Sequence, residues 1–272
     1  MFSVSKLRAS VLLVVVCVAG GSNAQADEKL WTATTGLSYR DSNFNLPNNK
    51  FGNESWSTYL GLSRIIDDKT YIGGSVSYTN ADTRYNTLSG SADADTTSLG
   101  VSLTRKIGLG LYANGSLGYG KSNVDTKTSV VNYDTDAKFK TVSLGLVQYI
   151  PIGQSVLANV SASYNHISTD SDKFLTNLGN AVPSSNNTLN YVTLGSQVSW
   201  LLNKWTPFVQ LSWNKANRAF IQGTGDDDYF SYSAGTRYAF TDETSVGFTL
   251  GSVFDKRDSN ETSAGISLSH RF

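Results

Sequence analysis

Residues 111–120 read LYANGSLGYG. Taking every second residue from Leu111 gives Leu, Ala, Gly, Leu and Tyr. Starting from Tyr112 gives Tyr, Asn, Ser, Gly and Gly. A period of two is the mark of a β-strand, whose successive side chains point to opposite faces. The second face is polar, small and uncharged. A strand of a water-soluble sandwich carries charged residues outside and bulky aliphatics inside, so this pattern asks what each face meets.

The same alternation recurs along the chain. It predicts strands near 30–40, 55–65, 70–80, 96–105, 109–120, 138–149, 155–167, 189–200, 205–215, 229–239, 244–254 and 262–272, twelve in all, with no competing helical period. Strands of ten to twelve residues are long for a soluble sheet and suit a tilted crossing of a bilayer. The connections alternate in length. Long ones are expected at 41–54, 81–95, 122–136, 169–188, 216–228 and 255–261. Short ones are expected at 66–69, 106–108, 151–154, 201–204 and 241–243. Outer-membrane barrels follow this rule, with short inner turns and longer external loops.

The apolar series of each odd-numbered strand ends in an aromatic residue before a long connection: Tyr39, Tyr78, Tyr119, Tyr164, Trp213 and Phe254. Trp31, Trp200, Trp205, Tyr238 and Phe272 lie at the opposite end. Two belts of amphipathic rings, one at each membrane interface, are the expected outcome. Between them Leu99, Val101 and Leu103, Val142, Leu144 and Leu146, and Ala264, Ile266 and Leu268 face outward. Leu111, Ala113, Gly115, Leu117 and Tyr119 therefore meet lipid, and Tyr112, Asn114, Ser116, Gly118 and Gly120 meet the lumen. The fold class is all-β, a twelve-stranded antiparallel transmembrane β-barrel. Closure satisfies every backbone N–H and C=O in hydrocarbon, which an open sheet does not.

The start of the chain has a different character. Lys6 and Arg8 precede an apolar run over 11–20, and Ala24-Gln25-Ala26 reads as a cleavage site. Residues 1–26 are expected to be a signal peptide and 27–272 the barrel. The single cysteine, Cys17, falls in the leader, so no disulfide or thiolate chemistry is expected beyond it. The chain holds 22 basic and 22 acidic residues. With Lys6 and Arg8 set aside, the rest is slightly acidic, which argues against nucleic acid as a partner.

Residues 98–126, SLGVSLTRKIGLGLYANGSLGYGKSNVDT, and 71–86, YIGGSVSYTNADTRYN, resemble the translocator β-domain of autotransporters. The resemblance covers essentially all of 29–272. It implies a twelve-stranded barrel in the outer membrane of a Gram-negative bacterium, with outer-membrane lipid, lipopolysaccharide and the barrel-insertion machinery as partners. The terminal GISLSHRF resembles the insertion signal of such barrels, carried by Ile266, Leu268 and Phe272, with His270 a departure from the usual aromatic. About four residues separate the cleavage site from the first strand, so neither a passenger nor a pore helix is expected.

The inward face offers Arg40, Tyr59, Tyr71, Tyr112, Asn114, Arg237 and Arg271 as pore-lining residues. They would set the width of a narrow passage and give any mild anion preference. A passive channel or a surface-exposed structural barrel is the expected function, with small solutes as possible cargo and neither a cofactor nor a bound metal. Asp226-Asp227-Asp228 lacks the alternating spacing of a calcium loop and reads as a solvated tip. The 169–188 connection is read either as a constriction folded into the lumen or as an external loop. No enzyme activity is expected. The alternative is a lipid-modifying enzyme, because His166, Ser168 and Asn190 share the outward parity. Their His-x-Ser spacing resembles the Ser–His–Asn set that outer-membrane phospholipases carry outside a twelve-stranded barrel. The competing reading of these residues is an interfacial histidine beside a polar loop.

Overall fold

A computed structural model describes residues 31–46, 49–86, 89–220, 227–254, 256 and 259–272. The leader and the cleavage site lie outside them. The strands are β1 (Trp31–Leu46), β2 (Asn49–Ile65), β3 (Thr70–Tyr85), β4 (Gly90–Lys106), β5 (Leu111–Thr128), β6 (Asn132–Ile152), β7 (Val156–Ser171), β8 (Phe174–Leu175), β9 (Ala181–Val182), β10 (Ser185–Trp200), β11 (Trp205–Ala216), β12 (Asp228–Ala239), β13 (Thr244–Phe254) and β14 (Ser259–Arg271). Twelve of them close an antiparallel barrel. β8 and β9 form a separate two-stranded hairpin within the β7–β10 connection. No helix lies among the described residues.

Each barrel strand pairs with its neighbour in the barrel, and β14 returns to β1 through thirteen register pairs from Thr32↔Arg271 to Phe44↔Ser259. Reciprocal bonds between Trp31 and Phe272 (3.1 and 3.0 Å) fasten the seam at the short-turn end. A two-residue period forces every register pair onto one face. Leu144 (60 % exposed) and Leu250 (67 %) therefore stand outside. So do Leu99, Val101, Leu103, Leu117, Ile266 and Leu268, all exposed. A continuous apolar girdle of this kind has no place in water and is the surface of a membrane barrel.

The aromatic rings bound this girdle. Tyr39 packs on Trp56 at 4.7 Å near the long-connection end. Trp205 packs on Tyr238 at 4.7 Å near the short-turn end. The Arg64 guanidinium lies over the Trp31 ring at 5.2 Å, its charge held at the interface by an aromatic face.

Three connections expected to be loops are not loops. The 41–54, 81–95 and 122–136 segments continue the ladders, as shown by Phe44↔Phe51, Thr83↔Ala92 and Asn123↔Asp136. Thr, Ser, Asn and Asp break the apolar alternation there, but they still alternate. Above the aromatic belt water, not lipid, faces the outer side, so a polar outward residue is compatible with a strand. Inward bonds such as Asn53 to Thr83 (2.8 Å) and Thr96 to Ser122 (2.9 Å) tie the extensions together. One side of the barrel is consequently a tall wall, with β6 running 21 residues against 11 for β13.

Candidate functional site

The lumen is built by backbone parity. Around mid-height the inward positions are nearly all small: Gly36, Ser77, Gly100, Ser116, Ser143, Ser161, Gly195, Ser212, Ser233, Gly251 and Gly265. Glycines and hydroxyls put little side-chain volume at this height, and twelve strands enclose more room than the eight that side chains fill.

All seven proposed lining residues have inward parity, but they do not form one constriction. Tyr71, Tyr112, Asn114, Arg237 and Arg271 gather at the short-turn end. Tyr71 pairs with Thr104 and Asn114 with Gly145. Tyr112 meets Tyr149 edge-on at 5.5 Å. Arg237 and Arg271 border a pocket of about 170 Å³ with Thr32, Thr244, Asp242 and Glu243. Acidic and basic groups thus share this mouth.

Tyr59 sits near mid-height and does not project into the lumen. Its ring lies flat on Gly36, its register partner, and its hydroxyl hydrogen-bonds with Ser267. A Cβ at position 36 would fall inside that ring. Arg40 lies nearer the outer mouth, paired with Glu261 at 3.4 Å.

Sequence reading missed the outer half of the lumen. Phe44 and Phe51 stack at 4.6 Å and Tyr85 follows at 6.1 Å. Phe139 is 1 % exposed and covers Gly120. Tyr191, Phe220 and Tyr229 join edge-to-face at 5.5 and 4.9 Å across the barrel's shorter side. Together they form an aromatic collar inside the outer mouth. Its signal was present in the alternation of Phe44, Phe51 and Tyr85, but those residues lay in segments expected to be loops.

The β7–β10 connection packs at the outer mouth against Tyr133, which shares the inward parity of Thr126 and Phe139. Its β8–β9 hairpin docks on the tip of β6, with Phe174 stacked on Tyr133 at 4.4 Å and Asn177 donating to the Asn132 carbonyl at 2.9 Å. Asp226 lies outside the described residues. Asp227 is bound by Lys215 at 2.8 Å, and no cluster of three metal-ligating side chains occurs among the described residues.

Two features mark the outer surface. Asp41, Glu54, Asp82, Asp93, Asp125 and Asp134 occupy consecutive register positions on β1–β6, an outward row of six acids above the aromatic belt. Lys127 pairs with Asp125 at 2.5 Å and Arg84 approaches Glu54 at 3.8 Å. Desolvation, a hydrogen bond with Asp82 and the charges of Asp82 and Asp125 raise the Asp93 carboxyl above its ordinary range. On the next part of the wall, His166 Nδ1 lies 2.7 Å from Asn190 Oδ1, which also accepts from the Tyr164 hydroxyl at 3.1 Å. The register pairs His166 with Asn190 and Ser168 with Lys140.

On the closing strand, Ile266, Leu268 and Phe272 all face outward, beside Leu37, Thr35 and the seam respectively. His270 follows the same parity, with Nδ1 2.9 Å from Thr244 Oγ1 and its ring stacked toward Phe272 at 6.2 Å.

Comparison with known proteins agrees with this architecture. The translocator domain of the autotransporter NalP from Neisseria meningitidis superposes with a TM-score of 0.78 at 13 % identity, covering 91 % of this chain and 90 % of that one. The β-domain of the Bordetella autotransporter BrkA gives 0.72 at 16 % identity, with 88 % and 99 % covered. The transport unit of the autotransporter AIDA-I from Escherichia coli gives 0.68 at 16 % identity, with 92 % and 93 % covered. No curated protein sequence matches the chain. The family model for the autotransporter beta-domain matches residues 30–251, most of the barrel, and the chain therefore belongs to the autotransporter beta-domain family.

Proposed function

We propose that this barrel lies in the outer membrane of a Gram-negative bacterium and is a narrow, passive, water-filled passage. The observation that carries the reading is the mid-height girdle of inward Gly and Ser, where the one large ring named, Tyr59, lies flat on Gly36. Passage is then limited by the aromatic collar rather than by the arginines. Asp242 and Glu243 offset Arg237 and Arg271 at the inner mouth, so ion selectivity should be weak. Lipid and lipopolysaccharide contact the outer girdle, and the closing strand with Ile266, Leu268 and Phe272 is the segment offered to the insertion machinery.

The test is single-channel recording in planar bilayers. Purified barrel should give discrete, small conductance steps with little cation–anion preference. The Phe44→Ala/Tyr85→Ala variant should enlarge the steps. Silence from both proteins, each verified as folded by its β-sheet circular dichroism, would mean a closed barrel whose function is structural.

A further inference from the structure

The outer surface carries an oriented histidine, His166 bound to Asn190, that the channel reading does not use. Asn190 Oδ1 only accepts hydrogen bonds, so the 2.7 Å contact requires the proton on His166 Nδ1. The second bond to this oxygen, from the Tyr164 hydroxyl, holds the orienting side chain, and the Asn190 backbone N–H donates to Asn217 Oδ1 at 3.1 Å, anchoring the backbone beneath it. The imidazole is thereby held as the tautomer whose Nε2 bears a free lone pair, the form a general base needs.

Ser168 stands two residues along the same strand on the same outward face. The separation is about 6.7 Å at the Cα atoms, a span that an imidazole and a hydroxymethyl close between them. Lys140 is the register partner of Ser168 on β6 and makes no ion pair among the described residues. Tyr164 belongs to the outer aromatic belt, so His166 and Ser168 sit one and two steps above it. The ester carbonyls and phosphates of the outer leaflet occupy this depth, between the hydrocarbon and the charged headgroups.

We propose that His166, Ser168, Asn190 and Lys140 form a lipid-facing acyl-ester hydrolase site whose substrate is an O-acylated, phosphate-bearing membrane lipid. Ser168 Oγ adds to the acyl carbonyl carbon while His166 Nε2 takes its proton. The Lys140 ammonium stabilises the developing oxyanion or the neighbouring phosphate. Collapse breaks the acyl C–O bond, and the leaving alkoxide takes the proton from the imidazolium, releasing the deacylated lipid. Water, its proton taken by Nε2, then adds to the acyl-serine, and collapse returns that proton to Ser168 Oγ as the free carboxylic acid departs. Asn190 is a positioning residue, acting through the histidine tautomer.

The experiment uses the folded barrel in vesicles of phosphatidylethanolamine and phosphatidylglycerol, and separately with purified lipopolysaccharide. Free fatty acid is followed by mass spectrometry, and Ser168 is probed with an alkyl fluorophosphonate. The expected result is probe adduct on Ser168 and acid release from one of the two lipids. Release should fall at least a hundredfold in Ser168→Ala and His166→Ala. Asn190→Ala should lose activity and move the acid-side limb of the pH profile, where the general base is protonated, and Asn190→Asp should restore much of it. The lipid arm that supports release identifies the source of the ester. Absence of adduct, together with release no greater than that of folded Ser168→Ala in both arms, overturns the proposal. Neither result depends on conductance.

Discussion

Gly120 and Phe139 show how single residues shape the lumen. They are register partners, and the Phe139 ring occupies the space where a Cβ at position 120 would stand. Laying an aromatic ring on a glycine covers bare backbone and keeps the ring against the wall. Gly120→Ala should therefore destabilise the barrel by about 1–3 kcal/mol, the range for overpacking a filled site. Gly61→Ala, whose added carbon meets only backbone oxygens at 3.8 Å, should lie within about 0.5 kcal/mol of the parent. Urea unfolding in micelles compares the two. Asp93 offers a second test. Its carboxyl binds a proton more tightly in the folded barrel than in the unfolded chain, because it is desolvated and faces Asp82 and Asp125, with Lys127 offsetting part of this. The barrel thus loses stability as pH rises through the unfolded value of 3.8 and on through the raised native one. Asp93→Asn should gain about 0.2–1 kcal/mol at pH 7, the scale of an exposed cross-strand pair. The gain should vanish below that window, and an equal gain at pH 3 and pH 7 would assign the effect to something other than charge.

At the scale of elements, β1–β6 extend beyond the outer belt as hydrogen-bonded ladders. Amide exchange tests this directly. Protection should continue through 51–54, 81–85, 91–95 and 122–127, and exchange in these segments as fast as in free peptide would restore the loop reading. The twelve crossings were legible because hydrocarbon demands an apolar outer face, which imposes strict alternation on residues such as 99–103 and 142–146. The extensions were not legible because above the belt both faces tolerate polar side chains. Residues 81–84, Ala-Asp-Thr-Arg, therefore look like a loop while pairing as a strand. The inward aromatics Phe44, Phe51 and Tyr85 were hidden for the same reason. The His166–Asn190 pairing was open in the sequence because the connection between β7 and β10 sets the register only through its length. The ladder from Ser171↔Ser185 to Val156↔Trp200 fixes it.

Over the whole molecule, one assignment supports every other: the Leu- and Val-rich side of each strand faces lipid, and the Gly- and Ser-rich side encloses the interior. From it follow the collar at the outer mouth, the mixed-charge inner mouth, and the histidine site on the lipid-facing wall. It also explains why a chain with only 16 % charged residues and no helix among those described folds at all. Its stability comes from a closed backbone ladder in hydrocarbon rather than from a packed interior. The most direct test replaces single residues by cysteine in a Cys17→Ser background and reads their surroundings in vesicles. Spin labels at positions 101, 144 and 250 should be quenched by lipid-soluble oxygen and shielded from a water-soluble nickel chelate, while labels at 100, 143 and 249 should show the opposite. The reverse pattern at these six positions would contradict the account.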